Sequence, residues 1–257
     1  QATVRRVAEG WDNVMFRVGQ DLLVRLPRRE LAVRWIAKEL RWLPVLGPLL
    51  PLPVPEIVFA GVPAAGYPWP WAVVRWVEGQ PAAETGGLSV SDAARLGDML
   101  RALHAIDVPE DPPADPFRNV ALLERDAAVR ERATRLGLRI EGLWTECARV
   151  PRPTRRTLVH GDLHPYNMIT HRGGLAAVID WGDMHVGDPA QDLATAWLST
   201  DHTESLLEAY GTVSPSARLR AEGWALYMAV MLLDAVERGA EARFGDVARQ
   251  SLRRLRL

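Results

Sequence analysis

The most restrictive feature of this chain is a change of pattern at Gly79–Gly87, where "GQPAAETGG" divides two kinds of sequence. Before it, "NVMFRVG" and "DLLVRLP" are short β-rich runs separated by Gly19-Gln20, and they read as a hairpin. "ELAVRWIAKELRWLPVL" places Leu31, Trp35, Ile36, Leu40 and Leu43 at helical spacing. Pro44 and the Pro-rich "GPLLPLPVPE" are expected to end that helix. "EIVFAG" and "WAVVRWVEG" read as two more strands. After the turn, "SVSDAARLGDMLRALHAI" is an amphipathic helix with Ser89 or Ser91 as N-cap, and residues 118–150 form a long charged helical region. Two short apolar runs, "TLVHGD" and "LAAVIDWGD", interrupt the helices, which resume at "PAQDLATAWLS" and run almost to the end. The pattern predicts an α+β chain in two lobes. Residues 1–80 form a small, mostly antiparallel sheet with one helix, and residues 81–257 a larger, mainly helical part.

Composition narrows the partners. With 257 residues, 48% apolar and 25% charged, the chain can bury a sizeable core and has the balance of a soluble globular protein. A net charge of -1 provides no global field for nucleic acid or a membrane surface, so neither is expected as a partner. The basic "RQSLRRLRL" reads as a solvated helix end. Cys147 is the one cysteine and can form no internal disulfide; "WTECARV" offers it no activating base, so an inert thiol is expected. There is no signal-peptide pattern and no run of about 18 apolar residues, so a cytoplasmic location is expected.

The polar stretch "LVHGDLHPYNMITHRGGLAAVIDWGD", Leu158–Asp183, holds three histidines and three aspartates between apolar runs. Asp162 is followed five residues on by Asn167, and Asp180 stands at the end of the apolar run "LAAVI". Phosphoryl transfer needs these parts: a carboxylate to accept the proton of an attacking hydroxyl, and an amide oxygen and second carboxylate to hold Mg²⁺ on nucleotide phosphates. Two other readings stand beside it. His160, Asp162, His164 and His185 have a spacing suited to a Zn²⁺ site of a metal-dependent hydrolase. A nucleotide-binding protein without transferase activity is the third.

"HGDLHPYN" together with "IDWGD" resembles the aminoglycoside phosphotransferase family and the choline kinase-like group, which share the protein-kinase fold. The resemblance covers nearly the whole chain, and its C-lobe motifs are the specific ones. It implies a bilobal protein-kinase-like fold and transfer of phosphate from ATP or GTP to a small-molecule hydroxyl, most readily of an aminoglycoside-type antibiotic. A choline-like amine, a macrolide or a sugar is the alternative acceptor. By the resemblance Asp162 is the catalytic base and Asn167 and Asp180 are Mg²⁺ ligands. His160 is a structural residue of the loop, Asp192 holds the loop rigid and Asp188 shapes the same turn. His164 lies near the phosphates.

The resemblance also implies a nucleotide site in the first lobe. Arg25 in "LLVRLP" takes the strand position where protein kinases have lysine, and its planar guanidinium suits phosphate and carboxylate together. Glu39 is its expected helix partner, with Glu30 as second choice. The loop over the phosphates is "EGWDNVMF", residues 9–16, including Asn13; it has one glycine, Gly10, and no G-x-G-x-x-G. "VVRWVEG" is the hinge, where backbone groups of Arg75 and Val77 meet the base and Val74 sits behind it. A polycationic acceptor would be met by helix carboxylates: Asp183, Asp201, Glu204, Glu208, Asp234 and Glu237. His104 and His202 are expected on helix surfaces or in packing. Trp35, Trp42 and Trp76 are expected in the core and Trp181 beneath the loop; Trp197 and Trp224 are expected in the C-lobe core, with the lining of an acceptor pocket as the alternative.

Overall fold

The computed structural model describes residues 2–9 and 12–257. The first part is a five-stranded antiparallel sheet: β1 Val4–Glu9, β2 Asn13–Val18, β3 Leu22–Pro27, β4 Ile57–Gly61 and β5 Trp71–Arg75. Their spatial order is β1-β2-β3-β5-β4. Between β3 and β4 comes α1, Glu30–Leu46. Ile36 of α1 packs on Ala72 and Val74 of β5, with Leu23, Leu40 and Ile57 around them, and forms the small core of the sheet. Trp42, Leu43 and Leu46 at the other end of α1 join the large core of the remainder of the chain. One helix thus ties the sheet to the catalytic segment.

Two expectations change here. The helix runs through Pro44 instead of stopping at it. Pro44 lies in the last turn, where a missing N–H costs a single bond, and Gly47 N–H closes the end on Leu43 O. The segment 118–150 is two helices, α3 Asp126–Arg135 and α4 Glu141–Ala148, broken where Gly137 takes φ 68°. Of the tryptophans, Trp42, Trp181, Trp197 and Trp224 are buried, whereas Trp35 and Trp76 are half-buried.

The rest is built on α2, Val90–Ala105, with Ser89 as N-cap accepting from Asp92 N–H. α7, Thr203–Tyr210, lies so close to α2 that a Cβ on Gly97 would come 2.2 Å from Leu206 O. Three small β elements carry the polar segment. β7 Thr157–Val159 pairs with β10 His185–Gly187, which the sequence pattern did not announce. β6 Gln80–Pro81, β8 Met168–His171 and β9 Gly174–Val178 form a second sheet. Short helices α5 Ala190–Leu193 and α6 Thr195–Leu198 follow, then α8 Pro215–Glu237 and α9 Arg243–Arg254. Cys147 is fully buried and its thiol is pushed up to about 12 by burial, as an inert packing residue should be. Among the described residues no helix is long and apolar enough to cross a membrane.

Candidate active site

The chain leaves β7 at His160 and enters a loop fixed from behind. Gly161 has φ 84°, and a Cβ there would lie 2.6 Å from Asp183 O, so the position admits only glycine. Asp192 on α5 is fully buried and accepts from His160 N at 2.8 Å and Gly161 N at 2.9 Å. Its Oδ2 also meets His104 Nε2 at 3.1 Å, and His104 Nδ1 meets the Tyr210 hydroxyl at 3.0 Å. Burial works against the Asp192 charge, but His104, His160 and the Gly161 N–H outweigh it and hold the carboxyl below its usual range. His104, expected as a helix-surface or packing residue, is therefore a buried link in the support of the loop.

His160 fixes the next residue. Its Nδ1 accepts from Asp162 N at 3.3 Å and its Nε2 donates to Ile179 O at 3.0 Å, while its ring packs on the buried Trp181 at 4.7 Å between centroids. Asp188 bonds Ala190 N at 3.0 Å and Arg220 Nε at 2.6 Å, shaping the turn before α5.

Asn167 and Asp180 stand side by side. Asn167 Nδ2 donates to Asp162 O at 2.8 Å, and Ile179 N donates to Asn167 O at 2.9 Å. With its nitrogen committed, the Asn167 amide offers its oxygen. Asp180 follows β9 in the left-handed region, φ 63° and ψ 66°, a conformation that costs a non-glycine residue about 1 kcal/mol or more and turns the carboxylate out. His164 Nε2 lies 3.6 Å from Asp162 Oδ2. Oxygen donors from Asn167 and Asp180, one of them an exposed carboxylate, fit a hard divalent cation.

From the sheet, Arg25 Nη1 meets Glu39 Oε2 at 2.6 Å and Arg25 Nη2 lies 3.6 Å from Asp180 Oδ1. Glu39 Oε1 accepts from Trp181 N at 2.9 Å. Burial lowers the Arg25 proton affinity, and Glu39 and Asp180 more than restore it. Burial pushes the Glu39 carboxyl up against the pull of Arg25; the short contact and the Trp181 N–H favour the ionised pair. Glu30, the second choice, lies at the start of α1 and makes no such contact among the described residues.

A residue not anticipated completes the site. Arg118 Nη2 is 2.8 Å from Asp183 Oδ2 and 3.2 Å from Asp162 Oδ1. Its loop is pinned by Asp115, which accepts from Phe117 N and Arg118 N at 2.9 and 3.0 Å and pairs with Lys38 Nζ at 3.2 Å. Burial favours a protonated Asp162, but Arg118, His164 and His160 hold its carboxyl well below the usual range. The Asp183 carboxyl is pushed up to about 6 by burial, against Arg118 and with the repulsion of Asp162. A narrow cleft of about 20 Å³ opens over Asp162, walled by Arg118, Arg125, Trp224, Tyr227 and Met228.

Several expectations need correction. His160, His164, His185 and Asp162 do not form a Zn²⁺ cluster: both ring nitrogens of His160 are engaged, and those of His185 face Asp183 O and Gln191 Oε1 at 2.9 and 3.0 Å. Among the described residues no group of three or more His, Cys, Asp or Glu side chains is placed to hold a metal. Most of the six candidate acceptor acids stand away from Asp162 or face arginines. Asp201 pairs with Arg254, Glu204 with Arg218, and Asp234 with Arg132, Arg135 and Arg238. Glu208 and Glu237 are exposed and take no part in the cleft wall. Of the six, Asp183 alone lies beside Asp162, and it faces Arg118. At the hinge, Arg75 N–H is bonded to Glu56 O at 2.9 Å, so Arg75 can offer a base only its carbonyl oxygen. Val77 follows directly beyond β5. In the loop of residues 9–16, Gly10 and Trp11 lie outside the described residues; Asn13 begins β2, and its Oδ1 is buried without a hydrogen-bond partner among the described residues.

Known proteins match this geometry. A family model described as a phosphotransferase enzyme family matches residues 3–224. An aminoglycoside 2'-phosphotransferase solved with GDP superposes with a TM-score of 0.72 at 19% identity, over 99% of this chain and 92% of that one. A macrolide 2'-phosphotransferase from Brachybacterium faecium gives a TM-score of 0.63 at 23% identity, over 96% and 91%. Both likenesses establish the bilobal kinase-like fold. Thiamine kinase of Escherichia coli is 39% identical over 66 residues, which span 25% of this chain and 24% of that enzyme's length. Matched over 222 of its 257 residues, the chain belongs to the phosphotransferase enzyme family.

Proposed function

We propose that this protein is a Mg²⁺-dependent O-phosphotransferase that moves the γ-phosphate of ATP or GTP to a hydroxyl of a small molecule. The observation that carries this reading is the pairing of Asp162 and Asn167 on a loop held by Asp192 and His160, with Asp180 next to Ile179, whose N–H bonds Asn167 O. Asp162 accepts the proton of the attacking hydroxyl, and its depressed basicity suits a loose transition state in which the proton leaves late. Asn167 Oδ1 and the Asp180 carboxylate would hold Mg²⁺, which when bound neutralises charge on the transferred phosphoryl group. Arg25, oriented by Glu39, binds phosphate oxygens with the edge of its fork not taken by Glu39. The Arg75 carbonyl and the Val77 amide receive the base, with Asn13 above the phosphates. His164 stands close enough to Asp162 to orient it.

Residues 1–80 then act as the nucleotide lobe and 81–257 as the acceptor lobe, in a cytoplasmic enzyme. Support for a nucleotide donor comes from the solved GDP complex of the aminoglycoside 2'-phosphotransferase. The aminoglycoside expectation draws on the names of such neighbours, and the thiamine kinase match points to a second kind of acceptor. A panel of acceptors with MgATP and MgGTP, scored by nucleoside diphosphate release, tests the reaction type. Asp162→Asn should lower turnover by about 10³-fold while nucleotide binding, read by calorimetry, stays within about twofold. Full turnover in that variant would remove Asp162 as the base.

A further inference from the structure

We propose that the acceptor is a compact alcohol carrying an anionic group, carboxylate or phosphate, on a flat apolar body, and that Arg118 and Arg125 select it. This inference rests on the phosphotransferase reading and assigns its acceptor class. The cleft over Asp162 is walled by two guanidinium groups and by Leu163, Leu198, Trp224, Tyr227 and Met228; among the described residues that line it, Asp162 is the only carboxylate. A polycation entering there meets Arg118 and Arg125 in a partly desolvated space. The acids that would have welcomed it are engaged with arginines elsewhere. An anion gains charge-assisted bonds from the same two residues.

Both arginines have donors to give. Arg118 reaches Asp162 and Asp183 through one nitrogen, Nη2, so these ion pairs occupy one corner of its five-donor fork. Its backbone is fixed on both sides, by Asp115 at Phe117 and Arg118 N–H and by Gln191 Nε2 at Arg118 O, 2.8 Å. Arg125 places its guanidinium 5.5 Å from the Tyr227 ring centre, and its Nε is buried with no partner among the described residues. Its Nη2 donates to Phe117 O, so the buried Nε is the donor of this cleft-lining residue that still lacks an acceptor. Trp224 and Tyr227, edge to face at 5.6 Å, supply the apolar wall for a flat body.

The test uses three matched alcohols on one phenyl-bearing skeleton: the hydroxy acid, its carboxamide and its amine, with kanamycin as polycation. Each is assayed for phosphoryl transfer from MgATP and for binding by calorimetry with MgADP present. The hydroxy acid should exceed the carboxamide at least tenfold in kcat/KM and the amine at least a hundredfold. Arg118→Gln and, separately, Arg125→Gln should each cut the acid-to-amide ratio below threefold through KM, with the melting shift induced by MgATP retained. Preference for the amine or kanamycin, an unchanged ratio in both variants, or a hydroxy acid that neither binds nor reacts would overturn the proposal. The MgATP melting shift of the native protein reports on the phosphotransferase reading separately: its absence sinks that reading, and its presence with the other failures sinks only this one.

Discussion

Asp192→Ala is the perturbation whose cost is set most directly by the geometry. The carboxylate is fully buried and accepts two backbone N–H groups, from His160 and Gly161, besides meeting His104. Removing it leaves both N–H groups buried and unpaired. Bonds to a charged acceptor contribute about 1.5–3 kcal/mol each, so the two together amount to about 3–6 kcal/mol. At about 2 °C per kcal/mol for a chain of this size, the melting temperature should fall by about 6–12 °C. Asp192→Asn keeps one acceptor oxygen but turns an amide N–H toward the other donor, and should fall between native and Ala. The control is Asp98→Ala, which removes an exposed i,i+3 pair with Arg101 and should shift melting by no more than about 1 °C. The same variants address the loop. If Asp192 positions Asp162, a displacement of about 1 Å should lower kcat by about 10²-fold, with nucleotide affinity preserved. Thermal denaturation by circular dichroism and a coupled diphosphate assay give the two readouts. Melting within about 2 °C of native, with full turnover, would refute the claim that Asp192 holds the loop.

Three further predictions concern the charged groups. Glu39→Ala should destabilise by about 3–5 kcal/mol in a denaturant titration, because Arg25 is left buried with only the 3.6 Å contact to Asp180; a change below about 1 kcal/mol would contradict the buried pair. Asp183 has a sign opposite to most carboxylates: its folded carboxyl is pushed up to about 6, mainly by burial, while an unfolded aspartate titrates near 3.9. Between those values the folded chain binds more protons, so its stability contribution falls as pH rises from about 4 to 6, by about 3 kcal/mol, and is flat above. Melting curves of native protein and Asp183→Asn should converge at about pH 4 and separate by about pH 7, with the variant higher; parallel curves would refute this. Asp180→Asn keeps a residue that tolerates the left-handed region and removes a like charge from Glu39 and Asp183. It should match or exceed native stability by up to about 1 kcal/mol while phosphoryl transfer drops by about 10³-fold, a pairing of outcomes that a purely structural aspartate would not show.

Local features, and those set by the pattern of a single element, were legible in the sequence. Asp162, Asn167 and Asp180 lie within one stretch whose strands bring them together. Arg25 and Glu39 could be paired because a β-rich run and a helical repeat set their places. Arg118 could not be found this way. It sits in an irregular Pro-rich segment far ahead of Asp162, and only packing of that segment against α1 and α5 joins them. The signal available was Asp115, three residues earlier, a residue type that caps its own following backbone. The acids misled for a related reason. The place of a carboxylate in the chain says nothing of its partner: Asp201, in the bend between α6 and α7, meets Arg254 on α9, 53 residues on. Pro44 was read as a stop because proline breaks helices, but a helix in its last turn has few bonds left to lose.

The ion pairs explain why arginine, and not lysine, stands at both ends of this site. Arg25 spans Glu39 and Asp180, and Arg118 spans Asp183 and Asp162. Arg25 uses two prongs of its fork for its two carboxylates, whereas Arg118 meets both of its own through Nη2 and keeps its other donors for another partner. Four carboxylates around two guanidinium groups leave an excess of two negative charges once Asp183 is ionised, above about pH 6. On the proposed function, a divalent cation held by the oxygen donors of Asn167 and Asp180 would offset that excess in full. The arginines do not neutralise the site; on the proposed function they would divide it, with Arg25 beside the phosphate donor and Arg118 beside the acceptor.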